Sequence, residues 1–212
     1  MPQLMIIRRM AVLLTMLAAI TMGSAAIAKA DSYTIGQSNF AGNQNFGTIT
    51  TTLVGNTIQV NVTLTAGWVL HNAGVGFNVV DPDAGVSVSA ITPAAFFSWP
   101  GGSGNFDGYG SYEFSVAGSN TSTARTNNLN TVTFTVSRTA GFTNANQLAE
   151  LSTGGTSAVF AVQIAPTTGD LNNTGFAATT TTTAPAVPEP TSMLLLGTGL
   201  VGIAGLARRF KK

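Results

Sequence analysis

The sequence predicts an all-β body, an antiparallel β-sandwich of jelly-roll or immunoglobulin-like topology. Apolar and polar residues alternate along most of the middle of the chain, as in strands with one buried and one solvated face. Gly, Asn and Ser separate these short segments, which is typical of sandwiches. The alternating apolar sets are Ile58, Val60, Val62 and Leu64; Val75, Phe77 and Val79; Val86 and Val88; Tyr112, Phe114 and Val116; Val132, Phe134 and Val136; and Phe160, Val162 and Ile164.

One hairpin and one helix can be placed individually. Strands at residues 48–54 and 57–65 are joined by Gly55-Asn56, and this pair suits the two-residue turns that join tight hairpins. A helical pattern is found only at residues 144–151, so we expect a single short helix there.

The N-terminal residues 1–30 have the three parts of a secretory signal peptide. Arg8 and Arg9 precede an apolar run at residues 10–20, and Ala28-Lys29-Ala30 supplies the small-x-small pattern that signal peptidase requires. Cleavage after Ala30 would leave Asp31 as the mature N-terminus.

The C-terminal residues combine a Pro-flanked motif, an apolar stretch and a basic end. Pro188-Glu189-Pro190 precedes the apolar residues 193–207, and Arg208, Arg209, Lys211 and Lys212 follow them. As a helix this stretch would be about 22 Å long. A bilayer core is about 30 Å thick, so the basic side chains would have to snorkel. By the positive-inside rule the basic end stays in the cytoplasm, which places the body outside.

This arrangement, over residues 187–212, closely resembles the PEP-CTERM sorting signal of Gram-negative bacteria. The resemblance implies that an exosortase recognises Pro188-Glu189-Pro190 and removes the helix, after a transient stay in the inner membrane. A weaker resemblance, over residues 68–164, links the body to β-sandwich regions of other PEP-CTERM proteins. The predicted organisation is a signal peptide at 1–30, the sandwich at 31–176, a Thr/Pro/Ala-rich linker at 177–187 and the sorting signal at 188–212.

Charge and cysteine content exclude several classes of function. Between residues 31 and 187, two basic residues oppose seven acidic ones, a net charge of −5. Such a body has no basic patch for phosphates, so we expect no nucleic-acid partner. The chain has no cysteine, which removes disulfides, thiolate metal sites and cysteine nucleophiles.

The remaining polar candidates predict neither catalysis nor a metal or cofactor site. His71 is the only histidine and has no evident partner in the sequence. Asp81-Pro82-Asp83 is interpreted as a turn rather than a calcium site. A carboxylate pair for glycoside hydrolysis would need Asp107 with Glu113 or Glu150, and we do not expect one.

Three aromatic residues, Trp68, Trp99 and Tyr109, are candidate glycan contacts, because aromatic faces stack on sugar rings. The sequence as a whole predicts a non-catalytic structural or adhesive protein of the cell surface or extracellular matrix, associated with exopolysaccharide or biofilm. The polysaccharide link is an implication of the tail resemblance. The alternative is a carbohydrate-binding module that recognises a defined glycan.

Overall fold

The computed structural model describes residues 30–180, which form eleven strands, one α-helix and one short 3₁₀ helix. The strands are β1 (Ala30–Ser38), β2 (Gly47–Val54), β3 (Thr57–Leu64), β4 (Trp68–Phe77), β5 (Ser87–Thr92), β6 (Gly104–Phe106), β7 (Gly110–Tyr112), β8 (Phe114–Val116), β9 (Thr131–Ser137), β10 (Phe160–Pro166) and β11 (Gly175–Thr179). The helices are α1 (Thr121–Thr126) and the 3₁₀ helix Ala145–Leu148.

Nine strands form one continuous antiparallel sheet in the order β5-β9-β3-β2-β1-β11-β10-β4-β8. The sheet curls around its core: the ring of Phe77 on β4 lies 5.7 Å from that of Phe134 on β9, although five strands separate β4 from β9 in the sheet. Both rings are fully buried. The prediction of an antiparallel all-β body is confirmed, whereas a sandwich of two separate sheets is not, because the two facing halves belong to one sheet.

The β2–β3 hairpin is confirmed at the predicted position. Its strands pair from Val54↔Thr57 to Gly47↔Leu64, and Gly55 in the turn has a φ of +62°. A positive φ strains most side chains but costs glycine little, which explains the residue at this position. Along β3, Ile58, Val60 and Val62 are fully buried, so the alternation in the sequence matches the inner face.

The centre of the sheet is formed by β1 and β11, the two strands nearest the ends of the described chain. Ala30 pairs with Thr52 on β2, and Ile35 pairs with Thr179 on β11. Because β1 and β11 are antiparallel neighbours, the start of β1 and the end of β11 lie at the same end of the sheet.

The predicted start of the linker at Ala177 is wrong. Ala177, Ala178 and Thr179 are fully buried in β11, and the Thr179 hydroxyl bonds to the backbone of Phe160 on β10. Small side chains suit a strand that is covered on both faces, so the alanines that suggested a spacer belong to the sheet. The folded body therefore extends through Thr179.

A second, smaller core, which we call the outer core, lies on the outer face of the sheet beneath the β6–β7 hairpin. Its buried residues are Phe106, Tyr109, Tyr112, Ala158, Ala161 and Ala178. Gly76 allows the Phe106 ring to pack directly against β4, since a Cβ at position 76 would lie 2.5 Å from that ring. The hairpin thus covers part of a face that would otherwise be exposed.

The single strand predicted around Tyr112, Phe114 and Val116 is divided at Glu113. Tyr112 ends β7 and belongs to the outer core, whereas Phe114 begins β8 and stacks on Phe77 at 5.6 Å. The two aromatic rings therefore pack in different cores, although their spacing in the sequence suggested a shared face.

Two short helices occur where side chains cap the backbone. The predicted helix at 144–151 is reduced to the 3₁₀ helix Ala145–Leu148, in which Asn144 and Gln147 form a capping box. Helix α1 was not predicted, because Thr121–Thr126 has no apolar periodicity. Its N-cap is Asn120, whose side chain accepts from the Thr123 N–H.

Candidate functional site

A small polar cleft lies where the ends of β4 and β7 meet the segment after the 3₁₀ helix. Its volume is about 200 Å³, below the roughly 300–1,000 Å³ usual for small-molecule sites. The polar cleft, as we call it, is lined by Asn78, Ser103, Ser111, Tyr112, Glu113, Glu150 and Thr153.

Asn78 holds the three parts of the polar cleft together. Its Oδ1 accepts from the backbone N–H of Glu113 at 2.7 Å, and its Nδ2 donates to the carbonyl of Leu151 at 2.8 Å. Asn78 is only 2% exposed, so both bonds are shielded from water. Glu113 and Glu150, which line the polar cleft, therefore lie on backbone segments that these two hydrogen bonds hold in place.

The polar cleft is acidic. Burial raises the pKa of Glu150, and the negative charges of Glu113, Asp81 and Asp83 raise it further. Within residues 30–180, no three His, Asp or Glu side chains come together as a metal site would need. Asp81 and Asp83 are exposed, and the carbonyl of Asp83 accepts from the Val86 N–H, as in a turn.

The structure brings together a pair of acidic residues that differs from the pairs suggested by the sequence, Asp107 with Glu113 or Glu150. Glu113 and Glu150 both line the polar cleft, but Asp107 lies in the β6–β7 turn and is not part of it. The backbone carbonyl of Asp107 accepts from the Asn39 side chain at 2.9 Å. No pattern in the sequence indicates the Glu113–Glu150 pairing, because it depends on how the segment after the 3₁₀ helix folds back.

The three candidate glycan contacts lie in different environments. Tyr109 is 4% exposed within the outer core and presents no free ring face. Trp68 at the start of β4 is partly buried, and its ring makes edge contacts with Phe40 at 5.8 Å and Phe46 at 5.1 Å. Trp99 is also partly buried, and its indole N–H is shielded from solvent without a hydrogen-bond partner among the described residues.

His71 is buried on β4 beside helix α1. It is 8% exposed, and its Nδ1 lies 3.4 Å from the hydroxyl of Thr121. Burial lowers its pKa below the ordinary 6.5; a hydrogen bond with the Ser119 backbone opposes this shift, and the nearby charge of Arg125 adds to it. Burial therefore favours the neutral form of His71, and the residue lies outside the polar cleft.

We expect the pH dependence of stability to report the burial of His71. The unfolded chain binds this proton near pH 6.5, whereas the folded protein binds it only at lower pH, so the titration of His71 lowers stability as the pH drops from 7.5 to 5.5. Replacing His71 with Gln should make this loss smaller, as measured by urea unfolding at both pH values. Glu150 is present in both proteins, so its titration cancels; equal losses in the two proteins would contradict the assignment.

The comparisons with known proteins identify the C-terminal segment. The family model described as the PEP-CTERM protein-sorting motif matches residues 186–209. No curated protein and no solved structure shows significant similarity to the chain. The longest helix between residues 30 and 180, α1, has six residues, and no helix in that range could cross a membrane.

The match includes the predicted sorting residues Pro188, Glu189 and Pro190, which lie outside the described residues. Ala28 of the predicted signal-cleavage site also lies outside them, and Ala30 is the first residue of β1. The assignment of the tail is confirmed, while the position of signal cleavage stays a prediction. The chain carries the PEP-CTERM protein-sorting motif, and the protein is therefore an exported, exosortase-sorted surface protein.

Proposed function

We propose that the protein is a non-catalytic structural or adhesive component of the cell surface or extracellular matrix of a Gram-negative bacterium, associated with exopolysaccharide. The observation that carries this proposal is the sorting motif at residues 186–209, since it commits the body to the outside of the cell. In this proposal signal peptidase and exosortase act on the chain during export, and the body remains afterwards.

The architecture of the body supports a structural role. The first and last strands of the body, β1 and β11, are adjacent central strands of the nine-stranded sheet. The linker and sorting segment therefore follow a central strand in the sequence rather than an edge strand. Two polar side chains of kinds that can carry chemistry have structural surroundings here: His71 is buried, and Asn78 binds backbone groups.

Gene deletion tests the role directly. We expect a deletion strain to lose surface matrix, and expression of the wild-type gene to restore it. Because the carboxylates of the polar cleft should not act catalytically, a Glu113→Gln/Glu150→Gln variant should restore the matrix equally well. Normal matrix in the deletion strain would contradict the structural role, and failure of this variant to restore matrix despite normal surface amounts would contradict the non-catalytic one.

The polar cleft favours a second candidate, a carbohydrate-binding module. The carboxylates of Glu113 and Glu150 and the hydroxyls of Ser103, Ser111 and Thr153 can exchange hydrogen bonds with sugar hydroxyls. For this candidate we expect glycan-array binding that weakens at least tenfold in Glu113→Gln. Trp99→Ala tests the separate aromatic candidate, and no binding by the wild-type protein would leave the structural role as the better account.

A further inference from the structure

The acceptor pattern for N-linked glycosylation, Asn-x-Ser/Thr, occurs three times in the chain, at Asn61, Asn120 and Asn172. A transferase must hold the asparagine carboxamide and the hydroxyl two residues later in its own active site. An acceptor therefore needs an exposed turn and an uncommitted carboxamide. The structure separates the three sites by these two requirements.

Asn61 and Asn120 do not meet both requirements. Asn61 lies in the middle of β3, between β2 and β9, and its Oδ1 lies 3.4 Å from the donating hydroxyl of Thr133. Asn120 is the N-cap of α1, and its Oδ1 accepts from the Thr123 N–H at 3.0 Å. Modifying either asparagine would disturb a regular element of the fold.

Asn172 meets both requirements. It lies in the loop between β10 and β11, where Leu171 is 49% exposed and Asp170, Asn172 and Asn173 are exposed as well. Across the described part of the chain, neither the Asn172 carboxamide nor the Thr174 hydroxyl has a hydrogen-bond partner. The acceptor and its hydroxyl are thus both uncommitted.

The loop also holds Asn172 in a defined turn. The Asn172 N–H donates to Oδ1 of Asp170 at 2.9 Å, and the Thr174 N–H donates to the Asn172 carbonyl at 3.0 Å. From α1, the Arg125 guanidinium donates to the carbonyls of Gly169 and Asp170 at 2.7 and 2.8 Å. These bonds engage backbone and neighbouring groups only, so they position the turn and leave the Asn172 side chain projecting.

We propose that Asn172 is an acceptor for an N-linked glycan, added during export by an oligosaccharide transferase from a lipid pyrophosphate-linked saccharide. Nδ2 of Asn172 forms a bond to the anomeric carbon as the bond from that carbon to the pyrophosphate oxygen breaks. The lipid pyrophosphate leaves with the bonding electrons, and the proton from Nδ2 passes to a base of the transferase. The site requires export, but it does not depend on the role proposed for the body.

Mass spectrometry of the mature protein from its native cells tests the proposal. Digestion that cleaves before Asp170 gives a peptide starting at that residue, and electron-transfer fragmentation then separates a modification on Asn172 from one on the threonines that follow. We expect a saccharide mass on Asn172 in the wild-type protein. The mass should persist in Asn173→Gln and be lost in both Asn172→Gln and Thr174→Val.

The variants distinguish a specific acceptor from damage to the fold. All three substitutions lie in the same loop, and each should leave the thermal unfolding midpoint within a few degrees of the wild type. Thr174→Val keeps Asn172 itself, so loss of the mass there reports the need for the hydroxyl. An unmodified Asn172 in the wild-type protein would overturn the proposal, as would a saccharide mass that persists in Asn172→Gln.

Discussion

Replacing Arg138 with Met is expected to lower the free energy of unfolding by about 3 kcal/mol or more. Arg138 is 8% exposed; its Nε donates to the carbonyl of Gly141 at 2.9 Å, and its Nη1 donates to those of Val80 at 2.6 Å and Pro82 at 2.9 Å. Its guanidinium also lies 4.5 Å from the centre of the Phe142 ring. Met fills similar volume but leaves three carbonyls without this donor and Phe142 without the cation, so the loss reports these polar contacts rather than a cavity.

Arg125→Met is the matched control. Arg125 also donates to two carbonyls, but these belong to an exposed loop where water can replace the guanidinium. We expect a loss below about 1 kcal/mol there, measured by urea unfolding monitored by tryptophan fluorescence. Equal losses of unfolding free energy in the two variants would show that the hydrogen bonds of Arg138 do not stabilise the packing of the segment after β4 against the end of β9.

The local elements of the sheet could be predicted from the sequence, because they depend on neighbouring residues. Ile58, Val60 and Val62 alternate with polar residues and are buried as expected, and Gly55-Asn56 forms the turn. The alternating pattern does not reveal β11, because this strand is covered on both faces. Ala177 and Ala178 resemble a spacer, yet they are buried on opposite faces of a central strand.

Features that depend on contacts between distant parts of the chain have no comparable pattern in the sequence. Whether facing strands belong to one sheet or two depends on the β1–β11 pairing, which joins the two ends of the body across the whole chain. The polar cleft likewise depends on Asn78 binding both Glu113 and Leu151, residues that are distant in the sequence. The sorting tail is recognisable from the sequence because its three parts are consecutive and need no folded context.

Disrupting the sorting motif is expected to abolish processing of the C-terminus. Proline restricts the backbone of its own residue and of the one before it, and Pro188→Ala/Pro190→Ala removes this restriction from the motif. The variant should accumulate in the membrane fraction with its C-terminal residues still present, as detected by an antibody to a tag placed after Lys212.

Pro185→Ala is the control for this variant. Pro185 lies just before the matched residues 186–209, so its replacement changes the proline content nearby and leaves the motif intact. We expect normal processing in this control. Normal processing of the Pro188→Ala/Pro190→Ala variant would show that the motif is not the recognition element.

The intact mass of the wild-type protein recovered from the cell surface tests export and sorting together. We expect a polypeptide that begins at Asp31 and ends near residues 188–190, with any additional mass carried as covalent modification. A full-length chain in the cytosol, with Met1 and Lys212 both retained, would contradict the account.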